Sequence, residues 1–117
     1  MKTLVQVTFL LLVAGFSYGQ DIKGQWNGAL IVQGNSLPLV FYVTKTDKEY
    51  KSTMDSPNQN ATGIIVSATT FDSPNVKFEI TNLGIVYEGT LAGDQITGKF
   101  KQSGRTFDLV LTKAEPK

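Results

Sequence analysis

Asp21, Asp55, Glu79, Glu88, Asp94 and Asp108 are the side chains of this sequence best placed for acid–base chemistry. Such chemistry in a glycosidase needs two opposed carboxylates across a cleft. Strand parity points Glu79, Glu88 and Asp108 outward, and Asp94 belongs to a Gly93-Asp94 turn. Asp55, in Thr53-Met54-Asp55-Ser56-Pro57, is left without a second carboxylate, and an Asp there ordinarily caps a strand end or turn. The chain has no His and no Cys, which removes Ser-His-Asp and Cys-His nucleophiles and His/Cys metal sites. It also lacks a phosphate-cradling Gly-rich loop with Lys-Ser/Thr and an acidic calcium loop. The residues therefore predict a protein that is not an enzyme and holds no metal or cofactor.

Recognition of an apolar molecule is the chemistry that remains. The candidate ligand-binding set is Trp26, Phe41, Met54, Asp55, Phe78 and Tyr87, with the polar stretch from Asp55 to Gly63 as a lid over an enclosed interior. Strands must position these residues. Gly, Asn, Asp, Ser and Pro punctuate the chain at short intervals, and apolar side chains alternate between them. The pattern predicts strands over 24–33, 37–45, 49–55, an irregular one within 62–72, then 76–82, 85–92, 95–102 and 105–112. The first turn is expected at Asn35-Ser36. Eight strands joined by short turns predict an all-β, eight-stranded antiparallel up-and-down barrel, which curls to remove its edges.

Parity puts Trp26, Leu30, Val32, Leu39, Phe41, Val43, Met54, Phe71, Phe78, Ile80, Tyr87, Leu91, Ile96, Phe100, Phe107, Leu109 and Leu111 inside. A barrel of this size either fills with side chains or holds one small ligand. The number of large inward residues favours filling, and the inward glycines and Ser52 favour space. Trp26-x-Gly28-x-Leu30, Tyr87-x-Gly89-x-Leu91 and Ile96-x-Gly98-x-Phe100 repeat one pattern, with the glycine relieving crowding where a strand coils sharply.

The N-terminus reads as a secretory leader: Lys2, an apolar run over Leu4–Ala14, then Ser17-Tyr18-Gly19 before cleavage at Gln20. The apolar run is shorter than the roughly 20 residues that span a bilayer, so no stable membrane span is expected after cleavage. The expected organisation is a signal peptide over 1–19 and one β-barrel domain over 20–117. Removing Lys2 with the leader takes the eleven basic side chains to ten, equal to the ten acidic ones. That balance gives no electrostatic case for nucleic acid or an anionic membrane.

Gly24-Gln25-Trp26 resembles the Gly-x-Trp signature of lipocalin and avidin-like (calycin) barrels, in which the Trp closes one barrel end. A longer set resembles a β-domain that precedes α/β-hydrolase (serine hydrolase) domains in secreted bacterial proteins. That set comprises Asp21-Ile22-x-Gly24-x-Trp26-x-Gly28-x-Leu30, Leu37 to Val43, Thr53-Met54-Asp55-Ser56-Pro57-Asn58-Gln59, Gly63-Ile64, and Tyr87-x-Gly89-Thr90-Leu91 on to Gly98. Asn60-Ala61 departs from the usual Gly-Ala step, and Ile65 stands where Pro is frequent. The resemblance implies an accessory domain, with catalysis left to the hydrolase. After Gly19 there is no Gly-x-Ser-x-Gly elbow, so hydrolase activity does not carry over. The expectation is a secreted, periplasmic or extracellular, non-catalytic module. It would bind a small apolar ligand or, alternatively, dock on a secreted hydrolase or envelope partner.

Overall fold

Burial follows a two-residue period, as strands packed on one side require. In Asn75–Ile80, Val76, Phe78 and Ile80 are buried, whereas Asn75 is exposed and Lys77 and Glu79 are half-buried. The computed structural model describes residues 21–114. The expected signal peptide lies outside the described residues. Nine antiparallel strands run in chain order: β1 (Gly24–Val32), β2 (Asn35–Thr46), β3 (Glu49–Ser56), β4 (Ala61–Ile65), β5 (Ala68–Asp72), β6 (Asn75–Ile80), β7 (Ile85–Ala92), β8 (Gln95–Gln102) and β9 (Arg105–Lys113). Two 3-10 turns, Pro57–Gln59 and Thr81–Leu83, follow β3 and β6.

All nine strands share one sheet in the order β4-β3-β2-β1-β9-β8-β7-β6-β5. Strand β9 returns to β1 through Trp26–Lys113 and Asn27–Thr112, which curls the sheet into a half-barrel. The expected all-β antiparallel architecture is present, with nine strands in place of eight and a curled half-barrel in place of a closed one. The stretch expected as one irregular strand within 62–72 divides at Val66-Ser67. Its first half pairs with β3 and its second with β6. Backbone bonds mark the crossing: Val66 N–H donates to the Ser52 carbonyl (3.1 Å) and Ser67 N–H to that of Glu79 (2.8 Å). One short segment cannot ladder to both neighbours once they splay apart, so it pairs with each in turn.

No ladder joins β3 to β5 directly. Side chains cross this seam instead: Ser52 Oγ lies 2.7 Å from Thr69 Oγ1, and the Tyr50 ring meets Phe71 edge-on at 6.1 Å. The first hairpin also differs from expectation. Its turn is Gln33-Gly34, both at positive φ (50° and 82°), and Asn35 already pairs with Val32. A two-residue turn with both residues at positive φ matches strand twist, and Gly34 accepts that conformation without strain.

Large side chains form a belt across the interior. Register aligns Trp26, Phe41 and Met54 over β1–β3, and Phe78, Tyr87, Phe100 and Phe107 over β6–β9. The curl brings the two rows together. Phe41 stacks on Phe78 at 4.6 Å, and Tyr87 lies 6.1 Å from Phe78 and 6.4 Å from Phe41. Each fully buried aromatic contributes about 1.5–3 kcal/mol. Gly98 faces Gly89 across β7–β8, and a Cβ added at Gly98 would lie 2.1 Å from the Glu88 carbonyl oxygen. The strands fold that closely because both positions lack a side chain.

Candidate functional site

The two ends of the curled sheet differ. At one end the segment before β1 turns inward. Ile22 is fully buried, and its carbonyl accepts a hydrogen bond from Trp26 Nε1 (2.9 Å). Lys113 Nζ lies 5.9 Å from the centre of the Trp26 ring. Asp21 ties this segment to β3 by accepting a bond from the Tyr50 hydroxyl (3.1 Å). Partial burial pushes the Asp21 carboxyl up, but the Lys23 N–H, the Tyr50 hydroxyl and the charges of Lys23 and Lys45 outweigh it and hold it below its usual range. A plug of Ile22 and Trp26 thus covers this end.

The other end is open. A cavity of about 640 Å³ lies between the ends of β1, β3, β6 and β8, within the size range of small-molecule sites. Leu30, Leu39, Met54, Ile80, Ile85 and Phe100 form its buried wall. The two 3-10 turns flank its mouth and end in the same way. Asn60 (φ 57°) and Gly84 (φ 67°) adopt the left-handed conformation, and each N–H bonds back to the first residue of its turn. Ser56 Oγ donates to Gln59 Oε1 (2.6 Å), Gly63 N–H donates to Asp55 Oδ1 (2.7 Å), and Gln102 Nε2 donates to the Leu83 carbonyl (3.1 Å). These bonds brace the rim. Ile65 and Leu83 also line the mouth and remain 76% and 42% exposed.

The structure separates the six candidate ligand-binding residues. Met54 lines the cavity. Phe41, Phe78 and Tyr87 stack among themselves in the filled middle, and Trp26 belongs to the plug. Asp55 braces the rim through Gly63 and stays outside the wall. Its charge is one of the causes, after partial burial, that raise the Tyr42 hydroxyl above its ordinary pKa. The expected lid from Asp55 to Gly63 is mostly strand, with only 57–60 between β3 and β4. Sequence reasoning passed over Ile85, Asn82 and Gln102 as lining residues. Their signal was the pair Ile80 and Ile85 on either side of the Asn82-Leu83-Gly84 turn, which marks a strand end with apolar walls.

Outside the sheet, Lys77, Glu88, Lys99 and Asp108 sit in one register row, so a lysine separates the two carboxylates. Lys77 pairs with Glu88 (3.7 Å) and Glu79 (3.3 Å), and Lys99 pairs with Asp108. Among the described residues no group of three or more His, Cys, Asp or Glu could hold a metal ion, and no helix is long and apolar enough to cross a membrane. Comparison of the chain with family models, with curated proteins and with solved structures found no match.

Proposed function

We propose that this chain is a secreted, non-catalytic binding module that holds a small apolar or amphipathic molecule in the cup at its open end. We read β4 and β5 as two halves of one bent stave, which makes the half-barrel a calycin-like barrel of eight staves with a side-chain seam. One observation carries the reading: an apolar-walled cavity of about 640 Å³ opens between two braced turns while the other end is plugged. Exposed Ile65 and Leu83 at the mouth add apolar surface that a ligand would remove from water.

Nile red titration tests the proposal on the full chain after secretion and purification. Its fluorescence should rise and saturate. Ile85→Trp, which places an indole in the cup, should abolish the saturable rise while the circular dichroism stays that of the parent. Ile31→Trp, on the exposed outer face, should leave the rise intact. An equal signal from parent and Ile85→Trp would refute the cup as a binding site.

A further inference from the structure

We infer, resting on the cup as a binding site, that its ligand is an uncharged single-chain amphiphile with a hydroxyl-bearing ester or amide head group. A fatty acid anion, a phospholipid or a cationic lipid does not fit. None of the residues that line the cavity is charged, and its polar side chains are Ser56, Gln59, Asn82 and Gln102. Arg105, the register partner of Gln102, sits at the same end but does not line the cup. An ionic head group at this rim would find no counter-charge among the lining residues.

The polar atoms at the rim suit a neutral head group. Gln59 Oε1 already accepts from Ser56 Oγ, so its amide NH₂ is the end left to donate. Gln102 Nε2 already donates to the Leu83 carbonyl, so its Oε1 is the end left to accept. One donor and one acceptor, supplied by two side chains whose other ends are held, match a head group that carries both a carbonyl and a hydroxyl or N–H. Asn82, on the second 3-10 turn, adds another amide at the same rim.

Three probes with the same twelve-carbon tail test this by calorimetry below their micelle concentrations: dodecanoate, dodecyltrimethylammonium and monododecanoylglycerol. At about pH 8 the acid is fully ionised. The monoglyceride should bind severalfold tighter than either ion, because the rim offers hydrogen-bond partners and the lining supplies no counter-charge. Asn82→Lys, which puts a positive charge on the exposed rim, should raise dodecanoate affinity relative to that for the monoglyceride. Equal affinity for all three probes, or tighter binding of an ion by the parent chain, would overturn the inference while leaving the cup in place. If Nile red and all three probes fail to bind, the cup reading itself falls.

Discussion

Tyr87 carries the one hydroxyl set into the aromatic stack, and it donates to the Leu109 carbonyl at 2.8 Å, with the Ile96 carbonyl at 3.3 Å. Burial raises its pKa well above the ordinary value of 10. An unfolded chain sheds this proton near pH 10, while the folded chain keeps it. The folded state then binds more protons than the unfolded one, so stability is fully present below about pH 10 and falls as pH rises beyond it. Tyr87→Phe should lose about 1 kcal/mol at neutral pH, because a carbonyl loses its donor. Above about pH 10 its stability should fall less steeply than the parent's. Urea midpoints collected across that range for both proteins would show the two curves converging. Parallel curves would mean that the Tyr87 proton is not linked to folding.

Two elements matter beyond the regular hairpins: the plug before β1 and the crossing between β4 and β5. The segment that carries Ile22 precedes β1 and belongs to no strand, yet Ile22 is fully buried and its carbonyl holds the Trp26 indole. Ile22→Ala should cost about 2–5 kcal/mol, the range for truncating a buried aliphatic side chain. Trp26 is the single tryptophan of the chain, so its emission should shift to the red as water reaches the indole. An unchanged spectrum and unchanged stability would show that the plug does not seal that end. At the crossing, Ser67 anchors the chain to β6 and the second 3-10 turn. Its Oγ donates to the Glu79 carbonyl (2.8 Å) and accepts from Thr81 N–H (2.9 Å). The same bonds position one side of the cup's mouth, so the irregular stretch is part of the rim's construction.

Taken whole, the sheet is strong on one side and stapled on the other. Strands β7, β8 and β9 are laddered continuously over eight register pairs at each junction. Strands β3 and β5 meet through the Ser52–Thr69 hydroxyl pair and the Tyr50–Phe71 contact. Local opening follows the weakest cooperative contacts. Amide hydrogen exchange should therefore be fastest, among the strands, in β4 and β5 and slowest in β7–β9, and Ser52→Ala should speed exchange in β5 without touching β8. Uniform protection around the sheet would argue for a fully laddered barrel in solution. Opening at this seam also bears on the cup, because β4 supplies Ile64 and Ile65 to its mouth.

Alternation along the chain was enough to place side chains on a face. Trp26, Leu39, Phe41, Met54, Phe78, Tyr87, Phe100 and Leu109 are buried, as parity requires, because the pleat makes orientation a property of two adjacent residues. The hairpin signals at Gly93-Asp94 and Ser103-Gly104 were legible for the same local reason. Depth along the interior was not legible. It depends on register between strands and on how far the sheet curls, so inward residues expected to wall one pocket became plug, stack and cup at different levels. The split of β4 from β5 was likewise decided by partners distant in sequence, β3 and β6. Which face a residue sees is therefore a local matter, but whether that face encloses space is settled only by how far the whole sheet curls over it.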